Sequence, residues 1–103
     1  MLEELSTTPV TAIVAYEVSA EDAERFMDSW ERAQAFMKKQ PGLVSTKLHK
    51  AVSAAPDFRF VNVTRWENAD AFRAATQSQG FQEASGRLGA FPIHASVYEV
   101  VAT

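Results

Sequence analysis

Apolar residues are concentrated in four short segments of the chain, and this pattern predicts four β-strands. The segments are rich in β-branched and aromatic residues, and proline, glycine, serine or aspartate residues flank them. They run from Val10 to Val18, from Leu43 to about Val52, from Phe58 to Trp66, and from Pro92 to Val101. In the second segment apolar and polar residues alternate, which indicates an edge strand with one face in water.

Two segments between these strands have the periodicity of helices. The first follows Ser19, a favourable N-cap, and repeats apolar residues on one stripe until Pro41-Gly42 ends it. The second follows the N-cap Asn68, is weakened by a glycine near its middle, and ends by Gly89. The order of elements is therefore βαββαβ.

This order predicts a ferredoxin-like α+β domain, in which a four-stranded antiparallel sheet carries its helices on one face. The usual strand order of that motif, 4-1-3-2, places strands 1 and 3 in the centre, and these are the most apolar strands of the chain. Residues 1–9 are predicted to be a loose lead-in, and residues 10–103 to form a single domain.

The first strand carries apolar residues on both of its faces. Val14 and Tyr16 point to one side, whereas Ile13 and Ala15 point to the other. Helices cover only one face of such a sheet, so the other face would expose a larger apolar patch than a soluble monomer usually carries. A second copy packed sheet against sheet would bury this patch, and we therefore expect a homodimer with a two-fold axis.

The composition excludes several classes of function. The 103 residues carry a net charge of −3 without a basic stripe, so nucleic-acid binding is not expected. The chain has no cysteine, which excludes thiolate nucleophiles and cysteine-ligated metal sites. No apolar run approaches the ~20 residues of a membrane span, and the first five residues do not resemble a secretory signal. We expect a cytoplasmic protein that does not bind membranes.

Asn62 and Trp66 stand four residues apart in a strand that leads into a helix with the aromatic residue Phe72. Together with the turn Pro41-Gly42-Leu43, this segment resembles the antibiotic biosynthesis monooxygenase domains. The resemblance covers residues 10–101 as an order of elements, and it implies a homodimeric α+β barrel with a pocket between sheet and helices in each subunit. Family members include cofactor-independent oxygenases of aromatic polyketides, quinol monooxygenases and haem-degrading enzymes, and others have no known activity.

Alternation along the third strand predicts that five side chains share one face. These are Phe58, Phe60, Asn62, Thr64 and Trp66. Aromatic rings with few polar groups are typical of a small-molecule pocket, although the same rings are also compatible with a core, and Asn62 with a satisfied structural amide. In the pocket interpretation, the amide of Asn62 and the indole N–H of Trp66 bind a phenol, carbonyl or enolate oxygen of a planar aromatic substrate. We predict Phe58, Phe60, Thr64, Phe72 and Tyr98 as its substrate-binding residues.

The resemblance implies a reaction in which the deprotonated substrate itself reduces O2, without a metal or another cofactor. The polyketide oxygenases carry a tyrosine on the second helix where this chain has Phe72, so another residue would have to move the proton. We predict His94 for this catalytic role, beside Asn62 and Trp66, with Tyr98, Tyr16 and His49 as further candidates. The second helix has no histidine for haem, and a non-catalytic small-molecule-binding or stress-associated dimer is the alternative function.

Overall fold

Four antiparallel strands form one sheet in the computed structural model, which describes residues 8–103. The strands are β1 (Val10–Tyr16), β2 (Leu43–Lys50), β3 (Phe60–Trp66) and β4 (Ile93–Tyr98), and their order in the sheet is β2-β3-β1-β4. This confirms the predicted strand order, with β1 and β3 in the centre. Of the predicted lead-in, residues 1–7 lie outside the described residues.

The strands are shorter than the sequence pattern predicts. β1 ends at Tyr16, which pairs on one side with Phe60 and on the other with Ile93. These two partners are the first residues of β3 and β4. The three ladders of the sheet, β1–β3, β1–β4 and β2–β3, therefore end at the same level. Apolar residues beyond this level, such as Phe58, therefore lie outside the hydrogen-bonded sheet.

Helix α1 (Ala23–Met37) follows a single 3-10 turn, and the predicted N-cap Ser19 accepts a hydrogen bond from the backbone N–H of Asp22 at 3.2 Å. After the helix, Gly42 adopts a φ of 88°, and a Cβ atom there would lie 2.5 Å from the Cβ of Ala71. Glycine therefore satisfies both the left-handed backbone and the close packing of this turn.

The second helical region consists of two helices, α2 (Ala69–Thr76) and α3 (Gln79–Ala84). Asn68 caps α2 as predicted, but the break falls at Ser78, whose hydroxyl caps α3 by accepting from the N–H of Phe81. Gly80 lies inside α3, where a Cβ atom would be 2.5 Å from the ring of Phe36 on α1. The glycine allows α3 to approach α1 closely and does not interrupt the helix.

All helices cover one face of the sheet, which we call the inner face. Two buried clusters occupy opposite ends of this face along β1. The Phe26 cluster contains Tyr16, Val18, Phe26, Ala33, Phe60, Leu88 and Phe91, and the Trp66 cluster contains Ala12, Trp66 and Ala75. The other side of the sheet, the outer face, has the half-buried residues Ile13, Ala15, Val61 and Val63 at its centre, and no element within residues 8–103 covers it.

Candidate functional site

A cavity of about 250 Å³ lies between the inner face and helices α1, α2 and α3, in the space between the two clusters. Its lining is predominantly apolar, with a few amide and hydroxyl groups. The lining residues are Val14, Tyr16, Trp30, Ala33, Gln34, Met37, Asn62, Thr64, Phe72, Thr76, Phe81, Leu88, Ile93 and Ala95. None of these described residues is an aspartate, glutamate, lysine, arginine or histidine, so the cavity suits an uncharged, largely apolar ligand.

The structure places the predicted site residue Asn62 in the wall of this cavity. Strand β3 directs its side chain to the inner face, and its Oδ1 accepts a hydrogen bond from the hydroxyl of Thr46 at 3.4 Å. Within residues 8–103 its Nδ2 has no hydrogen-bond partner. The amide is therefore held through its oxygen, and its N–H groups remain available to an oxygen atom of a ligand.

Trp66 supports the cavity wall from behind. It is fully buried, and its indole N–H donates to the hydroxyl of Thr64 at 2.9 Å, which leaves no donor for a ligand. Its ring packs edge-on against Phe72 with a centroid distance of 5.7 Å. Phe72 and Thr64 line the cavity, whereas Trp66 does not, because it lies two residues further along β3, inside the Trp66 cluster.

The two predicted phenylalanines of the third strand also lie away from the cavity. Phe60 is in the Phe26 cluster, where its ring stacks on Phe26 at a centroid distance of 4.4 Å. Phe58 precedes β3 and packs edge-on against His94 at 4.9 Å. Strand alternation cannot predict the direction of Phe58, because the alternation starts only where the ladder starts.

His94 and Tyr98 lie on the outer face of the sheet. The register of β4 pairs Ile93 with Tyr16 and directs Ile93 and Ala95 inward, so His94 points to the other side. There the Nε2 of His94 is 3.3 Å from a carboxylate oxygen of Glu17, and both side chains are exposed. Neither His94 nor Tyr98 lines the cavity, and the predicted proton acceptor and one predicted substrate contact are thus on the wrong side of the sheet for it.

Tyr16 is the one phenol in the cavity wall. Burial disfavours the charged phenolate and raises the pKa of Tyr16 to about 12. The group therefore keeps its proton at neutral pH and is suited to donate a hydrogen bond, but not to act as a base. His49, the last candidate of this kind, is an exposed residue on β2 whose Nδ1 is 3.3 Å from the carbonyl oxygen of Val61.

Gln34 and Thr46 are among the residues of the site that were not predicted from the sequence. Gln34 lines the cavity and is 6% exposed, and the hydroxyl of Thr46 lies 3.4 Å from its Oε1. The sequence does carry a signal for Gln34: it stands on the apolar stripe of α1, four residues after Trp30 and three before Met37. A polar residue at such a position has to be satisfied inside the protein.

A second depression, about 570 Å³ in volume, lies at the sheet edge between α1 and β2. Its walls include the exposed and charged side chains of Glu24, Asp28 and Lys50. This open groove is larger than the inner cavity, but it cannot exclude water from a reacting group. Within residues 8–103 no three histidine, aspartate or glutamate side chains group as metal ligands, and no helix has the length and apolar character of a membrane span.

The structure is that of a ferredoxin-like α+β protein with a largely apolar cavity between sheet and helices. Residues 9–87 match the antibiotic biosynthesis monooxygenase family, and the chain belongs to that family. No protein with a curated function matches it in sequence.

Solved structures show the same architecture. A proposed monooxygenase from Shewanella loihica PV-4 has a TM-score of 0.81 at 30% identity, over 93% of this chain and 97% of that one. SnoaB, a cofactor-independent oxygenase from Streptomyces nogalater, has a TM-score of 0.80 at 29% identity, over 93% and 96%. A dimeric protein of unknown function and ferredoxin-like fold from Bacteroides fragilis has a TM-score of 0.73 at 16% identity, over 89% and 96%, which supports the fold alone.

Proposed function

We propose that this protein is a cofactor-independent monooxygenase that oxidises a small phenol, quinol or anthrone-like compound with O2 in the inner cavity. The observation that carries the proposal is the free Nδ2 group of Asn62 in a predominantly apolar, helix-covered cavity. Such a donor stabilises the anion that an aromatic substrate must form before it can reduce O2. Membership of the monooxygenase family and the likeness to the oxygenase SnoaB support the same assignment.

The reaction needs little from the protein beyond binding and electrostatics. For an anthrone-like substrate, two C–H bonds at one ring carbon and the O–O bond break, while a C=O bond forms. One oxygen atom enters the product, and the other leaves as water with both hydrogens. The substrate supplies all the electrons, so the role of Asn62 is to hold the anion oxygen while the apolar walls keep bulk water away.

The cavity wall offers no base at neutral pH, because it lacks ionisable side chains other than Tyr16 and burial raises the pKa of that phenol. We therefore propose that the substrate loses its proton to solvent on entry. The pH at which kcat/KM reaches half its maximum should then follow the acidity of the substrate across a series of ring-substituted phenols. A fixed midpoint for every substrate would instead indicate a base on the protein.

The direct test is O2 uptake by metal-free protein with a panel of naphthols, quinols and anthrones. Replacing Asn62 with alanine should lower kcat by about 100-fold, the usual effect of removing one donor to a developing oxyanion. Ser96→Ala, on the exposed β4 strand, serves as the control and should leave the rate unchanged. Equal rates in wild type and Asn62→Ala would contradict the assigned site.

A second candidate function is supported by one specific observation, namely that Phe72 and the other cavity residues provide no group that moves a proton at neutral pH. A pocket of this kind could bind an aromatic compound without turnover. This alternative predicts saturable binding by fluorescence titration with no O2 uptake for any member of the same panel.

We further propose that the protein is a homodimer whose subunits pack through their outer faces. The apolar centre of this face, formed by Ile13, Ala15, Val61 and Val63, has no cover within residues 8–103. The related Bacteroides fragilis structure is described as a dimer. Sedimentation equilibrium should give twice the mass of one chain, and Val63→Glu should halve it, because a carboxylate there would be buried without a partner. A wild-type monomer at all concentrations would contradict the dimer.

A further inference from the structure

We infer that Gln34 is a second ligand-binding residue of the inner cavity, and that its side-chain amide binds an oxygen atom of the substrate. This inference rests on the proposed function, since it assigns a further contact in the same cavity. Asn62 and Gln34 would each hold one oxygen. The substrate class is then an aromatic compound with two hydrogen-bond-accepting oxygens, such as a quinone, a hydroxyketone or the corresponding anion.

The position of Gln34 is unusual for an amide. It stands in the last turn of α1, on the stripe that also brings Trp30, Ala33 and Met37 to the cavity wall. It is 6% exposed, and its Nε2 is buried without a hydrogen-bond partner. A buried amide nitrogen that lacks a partner costs about 1–3 kcal/mol. An apolar residue at this position would avoid the cost, so the amide calls for a partner that residues 8–103 do not supply.

The single hydroxyl proton of Thr46 cannot satisfy both amides. The hydroxyl of Thr46 lies 3.4 Å from Oε1 of Gln34 and 3.4 Å from Oδ1 of Asn62, but it has one proton and can donate to only one of them. Turning the amide of Gln34 over would let its nitrogen donate to Thr46, and would then leave its oxygen unpaired. In either orientation one end of this amide has no partner among residues 8–103.

The amide orientations determine the kind of ligand group that fits. With the Thr46 proton on Oδ1 of Asn62 and the amide of Gln34 oriented as in the structure, Nε2 of Gln34 and Nδ2 of Asn62 have no partner among residues 8–103, and both are donors. Two donors in one cavity select acceptor oxygens. The terminal torsion of a glutamine side chain is soft, so a ligand oxygen in the cavity can draw Nε2 towards it at small cost. The contact would satisfy the amide and position the ring against Asn62 at the same time.

The test compares three bicyclic ligands that differ in oxygen count: 1,4-naphthoquinone, 1-tetralone and naphthalene. The chain has no cysteine, so the quinone cannot form a thioether with it. Gln34→Leu should weaken binding of the quinone about tenfold, as expected for one lost hydrogen bond. It should weaken the tetralone less than about twofold, because Asn62 still holds its single oxygen, and leave naphthalene unchanged. Gln82→Leu, an exposed glutamine of α3, is the control and should change none of the three affinities.

Other outcomes would overturn the inference in different ways. Equal losses for the quinone and the tetralone would show that both amides bind the same ligand oxygen, and this would contradict the two-oxygen substrate class. Equal losses for all three ligands would show that Gln34 only shapes the cavity, and unchanged affinities would show that it makes no contact. Binding of none of the three by the wild type would contradict the proposed function itself.

A measurement without ligand separates this inference from a purely structural role. If the amide of Gln34 has no partner in the free protein, Gln34→Leu should unfold at the same or a higher temperature than the wild type, provided that the leucine fits the space. Saturating 1,4-naphthoquinone should then raise the unfolding temperature of the wild type more than that of the variant. A variant that unfolds at a lower temperature without ligand, and gains as much from the quinone as the wild type, would contradict the inference.

Discussion

The inner and the outer face of this sheet are built from the same two central strands, yet they have different roles. On the inner face, β1 and β3 present Tyr16, Phe60 and Trp66, and the helices bury all three. On the outer face, the same strands present Ile13 and Val63, which no helix covers within residues 8–103. Apolar strand residues therefore predict that a face will be buried, whereas the helices decide which face encloses a cavity. Substitutions on the two faces should differ accordingly.

The largest difference is expected for stability. Phe26 of α1 is fully buried and packs against the rings of Tyr16 and Phe60 on the inner face and of Phe91 before β4, at centroid distances of 4.8, 4.4 and 5.5 Å. Phe26→Ala should lower the free energy of unfolding by about 3–5 kcal/mol through lost burial and the resulting void. Urea unfolding monitored by circular dichroism measures this loss, which should not depend on protein concentration.

The matched substitution on the outer face is Tyr98→Ala, since Tyr98 is 51% exposed in the single subunit. Its cost should be below about 1 kcal/mol in dilute protein, where a dimer dissociates. At higher concentration the cost should grow if the outer face is an interface. A loss as large as that of Phe26→Ala in dilute protein would break the distinction between the faces.

Alkaline pH should reveal the next difference. Burial raises the pKa of Tyr16 to about 12, compared with 10.0 for the unperturbed phenol. The unfolded chain therefore loses this proton first, so the stability that Tyr16 provides is complete below pH 10 and is lost as the pH rises towards 12. The loss amounts to about 2–3 kcal/mol. Tyr16→Phe should be free of it, whereas Tyr98→Phe should retain it, as urea unfolding at pH 9 and pH 11.5 would measure.

The hydrogen bond from Trp66 to Thr64 provides a smaller effect, of about 1–3 kcal/mol. Trp66→Phe removes the donor and leaves a buried hydroxyl without this partner, so the variant should be less stable. Adding Thr64→Val should restore part of the loss, because the unpaired hydroxyl is then gone. A double-mutant cycle measures the coupling. Additive losses would mean that the indole supports the wall by its volume alone.

Much of the fold could be predicted from the sequence, because local signals and strand pattern agree. Asn68 caps the helix that it was expected to cap, Ser19 caps the 3-10 turn in front of α1, and β1 and β3 are central. The end of the sheet could not be predicted, because it depends on where three ladders stop together, at Tyr16. For the same reason Phe58, beyond that level, does not follow the alternation of β3.

The candidate site was predictable in part. Asn62 stands out because an amide in an apolar strand needs a partner, and the structure places it in the cavity wall. His94 could not be assigned to a face, since its orientation depends on the register between β4 and β1. The place of Gln34 in the site depends on how α1 packs against the sheet. In the sequence, its signal is a polar residue on an apolar helical stripe. Site residues on a single strand are therefore easier to predict than a site that a strand and a helix form together.

The smallest effect is expected at His94, and it tests the two faces most directly. His94 lies on the outer face, where its Nε2 is 3.3 Å from Glu17 and both side chains are largely exposed to solvent. His94→Ala should cost less than about 0.5 kcal/mol of stability, as is usual for an exposed pair. It should also leave the rate of O2 uptake unchanged, because the sheet separates its ring from the cavity. Asn62→Ala, measured beside it, should lose most of the rate, since the side chain of Asn62 lies on the inner face of the sheet, in the cavity wall. A tenfold lower kcat in His94→Ala, with O2 uptake restored by added imidazole, would show that a proton crosses between the faces, and the inner cavity would then not be the complete site.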